Sequence, residues 1–167
     1  MIKLLNIQRL FLLMMVLTYL SACTLLNDVN PWARNNQVNS VAVYVAPNEN
    51  LHHAISIDVL FIYSNEALAA LTDVNSNQWF QQKSAFLAGY QASIDILQWQ
   101  MVAGFSDESI ALPTNHKKAL AVIAYADHPQ NPNGKVILTD FKTPWLIFSN
   151  GQLKVQLTPP VSMPADK

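Results

Sequence analysis

The sequence is poor in the residues from which most active sites and metal centres are built. It contains one cysteine, four glycines and four histidines in 167 residues. A single cysteine excludes an internal disulfide and a cysteine-based zinc site. The glycines form no phosphate-binding loop, and there is no G-x-S-x-G nucleophile elbow. We therefore expect a protein that is not an enzyme, has no catalytic residues and needs no cofactor.

Long apolar runs are confined to the N-terminus. Lys3 and Arg9 precede the uncharged run 10–20, which in a helix would span only about 16 Å against a hydrocarbon core of about 30 Å. The run is too short to cross a membrane and is typical of the apolar region of an export signal. No later segment is apolar enough for a membrane-spanning helix.

The only cysteine, Cys23, stands directly after Leu20-Ser21-Ala22. This pattern resembles a lipobox, in which the cysteine becomes the new N-terminus and carries acyl chains such as palmitate. We therefore interpret residues 1–22 as a lipoprotein signal peptide and Cys23 as a durable membrane anchor. The alternative is an ordinary signal peptide cut nearby. Thr24, where an aspartate would favour retention in the inner membrane, favours the outer membrane, with the chain on the periplasmic face.

Basic residues are too few to suggest nucleic acid as a partner. Without Lys3 and Arg9, the chain has 8 basic and 11 acidic residues, a formal charge of −3. No basic run remains to contact a phosphate backbone. We therefore expect no binding of nucleic acid.

The mature chain divides into three parts. Residues 23–39 contain five asparagines and little periodicity, and they predict a flexible tether with a reach of roughly 20 Å. Residues 40–158 predict one periplasmic domain, and residues 159–167 a disordered tail. Trp32 is the one aromatic residue of the tether, and it would contact either the domain or the membrane interface.

The pattern within the domain predicts short strands around a helical insertion. Apolar residues alternate over 41–46 and 55–63, and helices are expected after Ser64 and Ser76. Further strands are expected over 94–102, 119–125, 135–138, 145–148 and 152–157, and Asn150-Gly151 between the last two predicts a hairpin. We therefore expect a mainly β protein, a β-sandwich with helices between its early and middle strands.

Two histidine motifs are weak candidates for chemistry. His52 and His53 are adjacent, so on a strand they would point to opposite faces, and no nearby ligands complete a metal site. Asp127-His128 resembles half of a catalytic triad, but it begins a loop rich in proline and asparagine. We expect neither a metal site nor catalysis.

Five segments follow the lipobox in a characteristic order: 41–46 (VAVYVA), 57–63 (IDVLFIY), Phe80, 103–105 (AGF) and 121–127 (AVIAYAD). Taken together, they resemble the outer-membrane lipoproteins of type VI secretion systems, the TssJ type. The resemblance covers roughly residues 20–157. Alanine stands at position 103, where the family tends to have proline, and at position 126, where it tends to have arginine.

The resemblance implies a transthyretin-like β-sandwich and a structural role. Such a lipoprotein stabilises the trans-envelope membrane complex by binding the periplasmic domain of an inner-membrane protein of the TssM type. A loop between the early strands helps to make that contact, and its counterpart here is Pro47–Ala54. Its candidate contact residues are Glu49, Asn50, Leu51, His52 and His53. A secretin pilot or another envelope assembly lipoprotein is the main alternative, and a periplasmic hydrolase or ligand binder is a third.

Overall fold

The fold was analysed in a computed structural model, which describes residues 36–47, 54–108, 110–128 and 133–161. Every described residue lies in one compact unit, Arg34–Lys167. The helices are α1 (Asn65–Leu71) and α2 (Ser76–Tyr90), and a short 3₁₀ turn covers His116–Lys118. The strands are β1 (Ala42–Val45), β2 (Ile55–Ile62), β3 (Ile94–Met101), β4 (Ser106–Asp107), β5 (Ala121–Asp127), β6 (Lys135–Ile137), β7 (Trp145–Ser149) and β8 (Gln152–Gln156).

The strands form two four-stranded sheets. Sheet A has the order β4-β1-β7-β8, and sheet B has the order β3-β2-β5-β6. Strands β1 and β7 are parallel, and the other pairs are antiparallel. Because side chains alternate between the faces of a strand, every second residue of each sheet points into the shared core. Val43, Phe61 and Phe148 are fully buried there.

The two helices cover the other face of sheet B. The side chain of Ser64 caps α1 by accepting a hydrogen bond from the Ala67 N–H. Asn75 starts α2 with a capping box that it forms with Gln78. The Trp79 ring stacks with the ring of Tyr125, with centroids 5.5 Å apart, and with the ring of Phe86, with centroids 5.9 Å apart. The aromatic face of α2 therefore packs against sheet B.

A buried carboxylate lies under α2. Asp58 is 1 % exposed in the middle of β2. It accepts a hydrogen bond of 2.8 Å from the Trp79 indole N–H and pairs with the Lys83 ammonium at 2.7 Å. The Ser76 hydroxyl also donates to the Ala126 carbonyl at 2.6 Å. These bonds fix the start and the middle of α2 on sheet B.

The predicted fold class is confirmed: the domain is a β-sandwich with a helical insertion between β2 and β3. The β7–β8 hairpin is also present, with positive φ angles of 52° at Asn150 and 68° at Gly151, as a type I′ turn requires. Residues 36–39, which we assigned to the tether, pack against the domain, because Val38 is buried in the sandwich core. None of the described helices is long and apolar enough to cross a membrane.

Candidate functional site

The side chains predicted to make contacts lie outside the described residues. This holds for the lipidation candidate Cys23 and for all five loop candidates, Glu49, Asn50, Leu51, His52 and His53. The structure does place the two ends of the loop. Strand β1 leads to Pro47, and Ala54 precedes β2, so the loop leaves one end of the sandwich. We call this the loop end.

A second segment is fixed beside the loop. The turn between β3 and β4, Val102–Phe105, is bound to the last residue of β1. The Gly104 N–H donates to the Val45 carbonyl at 2.9 Å, and the Val45 N–H donates to the Phe105 carbonyl at 3.0 Å. Gly104 has a φ of +80°, and an added Cβ would lie 3.7 Å from the Cβ of Pro47. The turn is thereby held next to the first residue of the loop.

This turn exposes two large apolar side chains. Val102 is 57 % exposed and Phe105 is 49 % exposed. Exposed aromatic residues on a fixed turn are frequent anchors in protein interfaces. The sequence pattern did not indicate either residue as a contact, and Phe105 enters there only through the 103–105 segment of the resemblance. The signal that could have found them is an aromatic residue placed directly after the turn glycine.

The chain enters the domain at the other end of the sandwich, which we call the entry end. Asn36 is buried, and its side-chain amide donates to the carbonyls of His116 and Ala119. Its side-chain oxygen accepts from the Val38 N–H at 3.1 Å. Asn36 therefore forms hydrogen bonds with three backbone groups. These bonds fix the place where the chain enters the domain.

A lysine holds the same segment from outside. The Lys117 ammonium donates to the Val38 carbonyl at 2.8 Å and to the Gln37 carbonyl at 3.3 Å. It also contacts the side-chain oxygen of Asn39. The Asn39 N–H in turn donates to the Lys142 carbonyl at 2.7 Å. Because β1 begins just after this segment and leads to Pro47, it joins the entry end to the loop end.

The described histidines are far apart in the domain. His116 lies at the entry end, where its ring contacts Phe61 edge-on, and His128 lies at the loop end against the ring of Phe148. Asp127 is exposed at the end of β5. Within the described ranges, no group of three or more His, Cys, Asp and Glu side chains could hold a metal ion.

Two tyrosines have perturbed ionisation for structural reasons. Burial raises the pKa of Tyr125 well above its ordinary value. Burial also raises the pKa of Tyr63, and its hydrogen bond of 2.8 Å to the Asp95 carboxylate adds to the shift. Tyr63 and Asp95 line an open groove of about 400 Å³ together with Ala92, Asn115 and Lys118. The groove holds one hydrogen-bonded pair and one lysine, which is too few convergent groups to define a reaction.

Burial lowers the pKa of Lys135, and the charge of Asp73 partly offsets this effect. Its ammonium donates to the carbonyls of Leu71 and Thr72 at 2.9 and 2.6 Å. These are terminal carbonyls of α1, so Lys135 caps that helix. The residues with shifted pKa values therefore have structural roles in the fold.

Comparison with solved structures identifies proteins of similar fold. The chain is similar to the crystal structure of the type VI secretion lipoprotein TssJ1 from Pseudomonas aeruginosa, with a TM-score of 0.51 and 10 % identity over 74 % of this chain and 96 % of that one. It is also similar to Lip from Serratia marcescens, a membrane-bound component of the type VI secretion system, with a TM-score of 0.48 and 16 % identity over 72 % and 96 %. No protein-family model and no curated protein sequence matches the chain. The resemblance inferred from the sequence is confirmed at the level of the fold.

Proposed function

We propose that this protein is a lipid-anchored structural component of a type VI secretion system. It stabilises the trans-envelope membrane complex by binding the periplasmic domain of an inner-membrane protein of the TssM type, and it is not an enzyme. The observation that carries the proposal is the shared fold with TssJ1, which extends over 96 % of that lipoprotein's chain.

The anchor in this proposal is Cys23. Residues 1–22 act as the signal peptide, the acyl chains on Cys23 insert into the outer membrane, and the domain faces the periplasm. The place where the chain enters the domain supports this arrangement, because Asn36 and Lys117 fasten the segment that follows the tether. A tether can position the domain at the membrane only if its end is fixed to the domain.

The partner-binding surface in this proposal is the loop end. The candidate contacts, Glu49 to His53, belong to the Pro47–Ala54 loop, whose two described ends lie at the loop end of the sandwich. The exposed side chains of Val102 and Phe105 lie beside the start of that loop. The loop and the apolar turn would then form one continuous contact surface.

The proposed partner can be tested by a binding experiment. The probe is the periplasmic fragment of the TssM-type protein encoded in the same genome. We expect the mature chain to bind this fragment in isothermal calorimetry, and we expect Phe105→Ala to weaken binding by tenfold or more. The matched control is Phe80→Ala on the half-buried face of α2, which we expect to change stability and leave affinity within about twofold. Absence of binding, with normal effector secretion in a deletion strain, would refute the proposed function. A secretin subunit bound in its place would indicate the pilot alternative.

The anchor has a separate test. Cys23→Ser should release the protein from the outer membrane into the periplasm in fractionation experiments, whereas Thr24→Ser should leave it attached. Retention of the Cys23→Ser protein in the outer membrane at high salt would refute lipidation as the means of attachment.

A further inference from the structure

Strand β3 is an open edge of sheet B. It pairs with β2 over all eight residues, from Met101 opposite Ile55 to Ile94 opposite Ile62, in one unbroken register. The Tyr63 N–H donates to the Ser93 carbonyl at 2.9 Å, which sets the alternation of the ladder. The residues whose backbone groups therefore point away from β2 are Ile94, Ile96, Gln98 and Gln100. Within the described part of the chain, no backbone partner meets these groups.

The other three edges are protected in ways that β3 is not. Strand β4 has two residues, and β6 has three, of which one is Lys135. Strand β8 has five residues and carries Lys154 at its centre. Short length and lysine are the usual means by which natural sheets prevent pairing at an edge. Strand β3 is eight residues long and contains neither lysine nor proline, and the carboxylate of Asp95 is bound to the Tyr63 hydroxyl. Among the described strands, its edge is therefore the one without these protections.

The side chains of β3 indicate what an added strand would meet. Leu97 and Trp99 lie on the core side of sheet B, and Leu97 is only half-buried. Gln98 and Gln100 are exposed and lie on the other face. An added strand with apolar residues at alternate positions would therefore extend the core beside Leu97 and Trp99, and its other residues would lie beside the glutamines.

We propose that β3 binds an extended segment of the periplasmic partner by β-strand addition, with apolar residues of that segment packing beside Leu97 and Trp99. This inference rests on the proposed function, and it assigns a contact that the loop end does not supply. Backbone hydrogen bonds would give affinity, and alternate side chains would give specificity, as in other complexes of this type.

A second copy of the chain fits this edge less well. Strand β3 starts at the entry end, because Ile62, opposite Ile94, accepts a hydrogen bond of 2.7 Å from the Leu120 N–H, next to Ala119, which binds Asn36. Antiparallel pairing of two copies would therefore place their entry ends a strand length apart, about 26 Å for eight residues. If these strands stood upright on a membrane, one entry end would lie about 26 Å farther from it than the other. This exceeds the roughly 20 Å reach of the predicted tether, so such a dimer would have to lie with this edge along the membrane. A partner segment has no such constraint.

The test uses the lipidated mature protein in detergent micelles and the TssM-type periplasmic fragment as the probe. Gln98→Pro removes one outward N–H and blocks the edge, whereas the bonds to β2 are kept. We expect it to lower affinity for the fragment at least tenfold. Gln98→Ala is the matched control, since it changes the same side chain and keeps the N–H, and we expect affinity within twofold of wild type. Gln100→Pro provides an independent second block.

Amide hydrogen exchange on the wild-type protein is a second test, and it does not depend on whether the proline variants fold. Addition of the fragment should slow exchange at Ile96, Gln98 and Gln100. If the fragment binds and these amides exchange unchanged, the inference is overturned and the proposed function stands. If the wild-type protein does not bind the fragment, both fail. The protein could also form a homodimer in the absence of detergent, and Gln98→Pro could dissociate it. This result would overturn the inference, since it would assign the edge to a second copy.

Discussion

Replacement of Lys83 with methionine should destabilise the domain far more than the loss of a surface charge does. The Lys83 ammonium lies 2.7 Å from the carboxylate of Asp58, which is 1 % exposed. Breaking a buried pair from one side costs about 3–5 kcal/mol, because a charge is left without a partner. Lys83 retains 25 % exposure, so water screens part of this interaction, and the Trp79 N–H still binds Asp58. We therefore expect a loss of about 2–3 kcal/mol in the free energy of unfolding.

A double-mutant cycle tests the cause. Asp58→Asn keeps an acceptor for the Trp79 N–H and removes the charge, so Lys83→Met should cost less than about 1 kcal/mol in that background. The assay is urea unfolding followed by tryptophan fluorescence and circular dichroism. Lys154→Met on the exposed face of β8 is the control, with an expected change within about 0.5 kcal/mol. Equal costs of Lys83→Met in the two backgrounds would show that Lys83 stabilises α2 without its charge and would refute the reasoning.

Three further predictions concern other parts of the domain. Asn36→Ala leaves three backbone groups without their partner and should cost about 2–3 kcal/mol in urea unfolding, and a cost below about 0.5 kcal/mol would mean that water replaces the amide. Gly104→Ala should destabilise by about 1–2 kcal/mol, because its φ is +80°, whereas Gly89→Ala in α2, where an added Cβ meets no atom within 4 Å, should stabilise by about 0.5–1 kcal/mol. Because burial raises the pKa of Tyr125 above its ordinary value of 10.0, its contribution to stability is complete below pH 10 and decreases above it, by about 1.4 kcal/mol per pH unit. Tyr125→Phe should reduce this alkaline slope in unfolding experiments at pH 9–12, and an unchanged slope would mean that another group titrates.

The features that could be predicted from the sequence are those set by neighbouring residues. Alternation of valines predicted β1, Ser64 marked the start of α1, and Asn150-Gly151 predicted the hairpin, because each depends on local backbone preferences. The pairing of β1 with β7 depends on residues about 100 positions apart in sequence, such as Ala42 and Trp145. Nothing in either segment indicates that partner, so only the sandwich class could be predicted.

Asp58 shows a different limit. It alternates with Ile57 and Val59, which is the pattern of a strand with one face in water. That face is covered by α2, and Asp58 is buried because Trp79 and Lys83 supply its partners from a helix that follows in sequence. The candidate site shows the same limit. The sequence predicted the contact loop by resemblance, but the turn carrying Phe105 comes next to it only through the backbone bonds to Val45.

The position of β1 has a mechanical consequence. Its first residues follow the segment fastened by Lys117, and its last residue lies at the loop end. A tensile load applied between the entry end and the loop end would therefore run along β1. Its hydrogen bonds to β7 and β4 lie across that direction, so they would be loaded in shear and would have to break together. A strand loaded in shear resists extraction far better than an edge strand whose hydrogen bonds can break one after another.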